Sequence, residues 1–204
     1  MKNWIFFDVM GVVFEVGDDT NDLLVPFIME RNKQISKEKI NEFYMEASLG
    51  KISSDEFWEK CGLKNSKEHD YCKEYLDSKL TLDPNFIPIA KKLSEKYNIG
   101  LLSNDVSEWS LYLREKYGIN SITKINIISG DVNFRKPSKK IYEIAIEKSG
   151  EKTENIYFID DRDKNLVVPN ELGMNIIRFN RDNTDCKLPE AKVIKSLKEL
   201  DYLL

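Results

Sequence analysis

Trp4-Ile5-Phe6-Phe7-Asp8-Val9-Met10-Gly11 decides how the rest of this chain is read. Trp4 to Val9 is short, apolar and aromatic-rich, which predicts a strand buried on both faces rather than an alternating, half-exposed one. Asp8 falls at its end, and Gly11 lets the backbone turn tightly just beyond. Two later runs close in the same way, Leu101-Leu102-Ser103-Asn104 and Tyr157-Phe158-Ile159-Asp160-Asp161, and Arg135-Lys136-Pro137 stands just before a helix start. A carboxylate, a hydroxyl, a cation and an acidic pair are the parts of a metal-assisted phosphoryl-transfer site.

Working outward from these runs, strands and helices alternate. Asn98 to Ser103, Ile125 to Ser129, Ile156 to Ile159 and Asn175 to Phe179 read as further strands. Asp83-Pro84 reads as an N-cap followed by proline at the first helical position, opening a helix to about Lys96. Further helices are expected over Val106 to Tyr117, stopped by Gly118, over Ser138 to Lys148, closed by Gly150, and over Asp163 to Leu172 despite Pro169. Ser196 and Glu199 cap a last short helix. Between about Asp19 and Leu80 there are helical segments and no convincing strand. Val25, Ile28 and Met29 share one face, and Ile40, Phe43, Tyr44 and Ala47 share another, with Ser36 as N-cap. Ser53 and Glu56 form a capping box, and Tyr71, Tyr75 and Leu76 mark a fourth helix.

This order predicts an α/β fold: a three-layer, Rossmann-like core around a parallel sheet, with an inserted helical bundle. The core is expected over residues 1–14 and 83–204 and the bundle over 15–82. Ligands of such sheets bind beyond the carboxyl ends of the strands, which is where Asp8, Ser103 and Asp160-Asp161 fall.

Composition narrows the chemistry. With 204 residues, 41% hydrophobic and 32% charged, the chain suits one globular domain, or one with an insertion. No run approaches the roughly 20 apolar residues that span a bilayer, so no membrane partner is expected and cytoplasmic residence is the default. A net charge of −4 gives no support to nucleic-acid binding. Three cysteines without metal-ligand spacing fit a reduced compartment. The single histidine, His69, sits in a polar stretch, which removes most triad and zinc chemistries. Carboxylates, lysine, hydroxyls and a bound ion are left.

Each candidate has a plain structural alternative. Asp8 can simply end a strand in a turn, Asp160-Asp161 can favour a helix dipole, Ser103-Asn104 can cap the next helix, and Lys136 can be a solvated loop lysine, as Arg135 is expected to be. Together, in this order and spacing, the segments resemble the haloacid dehalogenase-like hydrolases. Asp8-Val9-Met10-Gly11-Val12 is similar to that family's first motif, Leu101 to Asn104 to its second, Arg135-Lys136-Pro137 to its third, and Phe158 to Asn165 to its fourth. The resemblance implies a magnesium-dependent phosphomonoester hydrolase with Asp8 as nucleophile. It implies that Asp8, Asp161 and the Met10 main-chain carbonyl hold Mg2+, with Asp160 ligating or orienting it. Ser103, Asn104 and Lys136 would bind phosphate, the insertion would act as a helical cap, and the substrate would be a small phosphorylated metabolite such as a sugar phosphate. Monomer and homodimer both suit the chain.

Met10 departs from the pattern. Most phosphatases of the family carry a second aspartate there, which protonates the leaving oxygen, and losing a positioned acid costs roughly 10²–10⁴ in rate. The dehalogenases of the family also lack it. This keeps a 2-haloacid dehalogenase, or a non-catalytic member binding a phosphorylated ligand, as alternatives; the acidic pair at 160 and 161 favours phosphate.

Overall fold

In the computed structural model, which describes residues 2–204, the sheet is entirely parallel. Its strands are β1 (Trp4–Phe7), β2 (Asn98–Ser103), β3 (Ile125–Ile128), β4 (Ile156–Asp160), β5 (Asn175–Phe179) and β6 (Lys192–Ile194). Their order, β3-β2-β1-β4-β5-β6, reverses direction between β1 and β4. Phe7 is level with Leu101 on one side and Ile159 on the other, so Asp8 and Asp160 leave the same rim as neighbours at the switch point.

The period-2 alternation of β1 splits the core. Ile5 and Phe7 join one apolar cluster, Trp4 and Phe6 another on the opposite face. The first cluster is continuous with the interior of the insertion, which comprises α1 (Val25–Arg31), α2 (Lys37–Ala47), α3 (Ser54–Lys60) and α4 (Tyr71–Lys79). The remaining helices are α5 (Phe86–Ser94), α6 (Ser107–Lys116), α7 (Ser129–Val132), α8 (Lys139–Ser149), α9 (Asp163–Glu171) and α10 (Leu200–Leu203).

Trp109 of α6 joins the sheet domain to the insertion. Its ring is buried against Tyr44, Phe57, Trp58 and Tyr75, with centroids 5.4–6.0 Å apart, and its Nε1 donates to Ser54 Oγ at 2.7 Å. A second tie is polar. Ser129 Oγ donates to the Ser48 carbonyl at 2.5 Å, and Asn133 Nδ2 donates to that of Leu49 at 2.7 Å. These contacts hold the insertion over the rim where the strands end.

The caps at Ser36, Ser53 and Ser196 form as their sequence spacing predicts. Other expectations are corrected. Phe27, not Met29, is buried on α1, because Phe27 packs against Trp58 and Tyr75 while Met29 faces outward. Asp83 does not cap a helix at Pro84: its carboxylate accepts from the Asn85 N–H and from Arg181, and α5 starts at Phe86 after Asn85. β6, which the apolar pattern does not reveal, is an edge strand with only Ile194 buried. Before α1 the helix opens to a π-turn, Thr20–Leu24, with Val25 N–H donating to the Thr20 carbonyl. Pro26 explains it, since proline has no N–H for the carbonyl four residues back and its ring crowds that position.

Trp109→Ala is expected to destabilise the protein by about 3–5 kcal/mol, because it empties the aromatic junction and removes the donor to the Ser54 hydroxyl. Urea titration followed by circular dichroism checks this; a loss well under that range would mean that the junction is not a core.

Candidate active site

At the switch point the Lys136 ammonium lies 2.6 Å from Asp8 Oδ1 and 2.7 Å from Asp160 Oδ2, all three side chains buried. Asn104 holds this lysine in place. Its Nδ2 donates to the Lys136 carbonyl at 3.0 Å and its Oδ1 accepts from the Lys136 N–H at 2.7 Å, a strand-like pairing made by a side chain. Asn104, expected to grip phosphate, also lines the cavity beside these groups, and its side-chain amide positions Lys136.

Asp160 is saturated. Besides Lys136 it accepts from the Arg162 N–H at 2.8 Å and from Asn165 Nδ2 at 3.1 Å on both oxygens. Asn165 is fixed in turn by the proline of α9. Pro169 has no N–H to give the Asn165 carbonyl, and the Tyr142 hydroxyl donates to it at 2.8 Å instead. The proline that the sequence offers as an obstacle to α9 thus frees an acceptor for α8.

Asp161 is different. Its Oδ1 is buried with no hydrogen-bond partner among the described residues. Its carboxylate is pinched between two glycines: a Cβ on Gly11 would lie 2.4 Å from Asp161 Oδ2, and one on Gly17 2.2 Å from it. Gly11 also has φ +86°, a conformation that disfavours any other residue. One oxygen each of Asp8, Asp160 and Asp161 lie within 4.8 Å of one another.

Charge in this cluster is unbalanced. Burial and the neighbouring Asp160 push the Asp8 carboxyl well above its ordinary range, and Lys136 offsets only part of this. Burial alone would lower the Lys136 ammonium, but Asp160 and Asp8 outweigh it and raise it. Asp161 is raised to about 6, by burial first and Asp160 second. Three carboxylates around one buried ammonium, one of them with an orphaned oxygen, fit a divalent cation with oxygen ligands.

Beside the cluster lies a cavity of about 280 Å³. Asp8, Met10, Asn104 and Lys136 line it from the sheet, and Asp19, Thr20, Tyr44 and Met45 from the insertion. Ser103 is buried at the end of β2 with its Oγ unpartnered. Arg135, expected to be solvated, also lines the cavity; it lies over the Tyr44 ring and donates to Ser48 Oγ. Asp19 and Asp105 went unnoticed in the sequence. Both are buried; Asp19 is raised to about 7, by burial above all, and Asp105 to about 8, by burial and then by Asp19. Neither ends an apolar strand, so no local pattern marks them.

A family model for haloacid dehalogenase-like hydrolases matches residues 3–167, and the chain belongs to that family. A glyceraldehyde 3-phosphate phosphatase of Methanopyrus kandleri is 29% identical over 131 residues, 59% of this chain and 55% of that protein. An uncharacterised hydrolase of Schizosaccharomyces pombe is 39% identical over 71 residues, 34% of this chain and 31% of its own length. The chain thus matches about half or less of these curated relatives. A haloacid dehalogenase-family enzyme of Bacteroides thetaiotaomicron, solved with magnesium and inorganic phosphate, superposes over 92% of this chain and 98% of its own with a TM-score of 0.75 at 20% identity, a likeness of fold. Among the described residues no helix is long and apolar enough to cross a membrane.

The raised carboxyls carry a sign. Asp161, Asp19 and Asp105 hold protons in the folded state at pH values where the unfolded chain, titrating near 3.8, has lost them. Their stabilising contribution is complete in acid and is lost as pH rises through their folded values. The melting temperature of the metal-free protein is therefore expected to fall between pH 5 and pH 8, and Asp105→Asn to remove the upper part of that fall. A flat or rising profile over this window would contradict the assignment.

Proposed function

We propose that this chain is a magnesium-dependent phosphomonoester hydrolase working through an aspartyl-phosphate on Asp8. The observation that carries the reading is the buried Lys136 ammonium shared by Asp8 and Asp160, with the unpartnered oxygen of Asp161 beside them. A halide-displacing site has no use for so many carboxylates; Lys136 offsets one of the three and a divalent cation the other two.

In this reading Asp8 attacks phosphorus in line, and Lys136 holds the nucleophile and neutralises charge on the transferring group. The Ser103 hydroxyl, which has no partner among the described residues, is the donor offered to a phosphoryl oxygen. Asp8, Asp161 and the Met10 carbonyl are the groups that would hold magnesium, which when bound supplies neutralising charge at the phosphate. Asp160, with all its hydrogen bonds made, orients Lys136 rather than ligating. Residues 15–82 serve as a cap over the core of residues 1–14 and 83–204, excluding water from the cavity. A cavity of about 280 Å³ suits a small phosphorylated metabolite, in keeping with the phosphatase among the relatives. The cytoplasm, with its millimolar magnesium and phosphorylated metabolites, is the compartment that suits this chemistry.

Asp8→Asn is expected to lower kcat on the order of 10⁴-fold or more while the protein still melts cooperatively. Chelation of the wild type should stop turnover and added magnesium restore it. Phosphatase activity persisting in the variant would rule out the nucleophile assignment.

Met10 favours one second reading, a carbon–halogen hydrolase. Chloride release from a 2-haloacid in the presence of a chelator, with no phosphate-ester turnover, would establish it; the expected outcome is no release.

A further inference from the structure

Met10, which lines the cavity, leaves without an acid the position that most phosphatases of the family fill with a proton-donating aspartate. On the phosphomonoester reading, the proton must come from another carboxyl that reaches the same cavity. Apart from Asp8, two line it, Asp18 and Asp19. Asp18 is exposed, accepts from the Asn21 amide at 3.0 Å and has Arg162 at 3.8 Å, so its oxygens are already engaged at the surface. Asp105 is buried but does not line the cavity.

Asp19 is unlike either. Only 7% exposed, it still lines the cavity, and no cation lies within ion-pair distance of it among the described residues. Apart from the adjacent Thr20 N–H, no group of the π-turn that it precedes bonds its carboxyl. Asp8 belongs to the strand rim, whereas Asp19 belongs to the segment entering the insertion. A phosphoryl group seated on Asp8 turns its leaving group away from the nucleophile, toward walls that the insertion supplies.

We propose that Asp19 is the proton donor to the leaving group, taking the role that Met10 cannot fill. As the bond from Asp8 to phosphorus forms, the phosphorus–oxygen bond to the leaving group breaks with its electron pair on oxygen. That oxygen takes the Asp19 proton and departs as the alcohol. In the second half, water attacks the aspartyl-phosphate and its proton passes to the Asp19 carboxylate. The acyl-phosphate bond breaks, inorganic phosphate leaves, and both Asp8 and Asp19 return to their starting forms.

The surroundings suit that task. Arg162 and Arg135 favour ionisation of Asp19, while Asp18, Asp105, Tyr44 and Tyr75 face it without neutralising it. Burial dominates, and the carboxyl is raised to about 7, where a group both gives and retakes a proton readily.

The test compares an alkyl phosphate with 4-nitrophenyl phosphate, whose leaving group needs no proton. In Asp19→Asn the alkyl kcat/KM, which reports the half-reaction that expels the leaving group, should fall by about 10²–10⁴ and the 4-nitrophenyl kcat/KM by less than about tenfold. The wild-type alkyl rate should also decline above about pH 7, as Asp19 loses its proton, and this limb should vanish in the variant. Asp19→Glu, which restores a carboxyl, should recover alkyl turnover relative to Asp19→Asn. Equal losses on the two esters, no loss, or no recovery with glutamate would overturn the role of Asp19 alone. A wild type that hydrolyses neither ester would overturn the hydrolase reading, and this one with it.

Discussion

The buried ammonium of Lys136, set between Asp8 at 2.6 Å and Asp160 at 2.7 Å, is the interaction on which the site depends. Desolvating such ions costs several kcal/mol each, and only close geometry with every remaining hydrogen bond made repays it. The surrounding structure meets that condition for two of the three. Asn104 fixes the Lys136 backbone, and Arg162 and Asn165 fill the lone pairs of Asp160. The parallel register of β1 with β4 brings the two carboxylates side by side. Asp161 has only the Arg162 guanidinium at 4.0 Å and no hydrogen bond to its buried Oδ1 among the described residues, which is why the proposed function gives it to a cation.

The rest of the molecule serves that placement. Gly11 and Gly17 let two loops close on Asp161 where any side chain would strike its carboxylate. The aromatic junction around Trp109 and the bonds from Ser129 and Asn133 bring the insertion over the rim. The insertion in turn supplies Asp19, Thr20 and Tyr44 to the cavity. The carboxyl rim of the central strands provides the charged cluster and the helical insertion provides the facing wall of the cavity. This arrangement lets the wall change without disturbing the machinery.

Much of this was legible in the chain because it is local. Short apolar runs ending in Asp8, Ser103 and Asp160 mark doubly buried strands, and the caps at Ser36, Ser53 and Ser196 are side chains bonding to backbone three residues or fewer away. What stayed hidden depends on distant partners. Asn104 is bonded to Lys136, 32 residues on, and Arg135 is drawn to Ser48 across 87 residues. Asp19 and Asp105 become unusual only when the insertion packs against the core and dries their surroundings. The start of α5 slipped because the Asp83 carboxylate closes on Asn85 instead of opening a helix. β6 is three residues long with two of them exposed, which leaves no period to read.

In the proposed function the excess negative charge around Lys136 is completed by one divalent cation held by Asp8 and Asp161. Anomalous diffraction from crystals soaked in Mn2+, which takes the same oxygen ligands as Mg2+, tests it most directly. One peak is expected against both carboxylates, with Lys136 still bridging Asp8 and Asp160. A cluster that stays empty at saturating metal, or an ion bound elsewhere on the chain, would contradict the account.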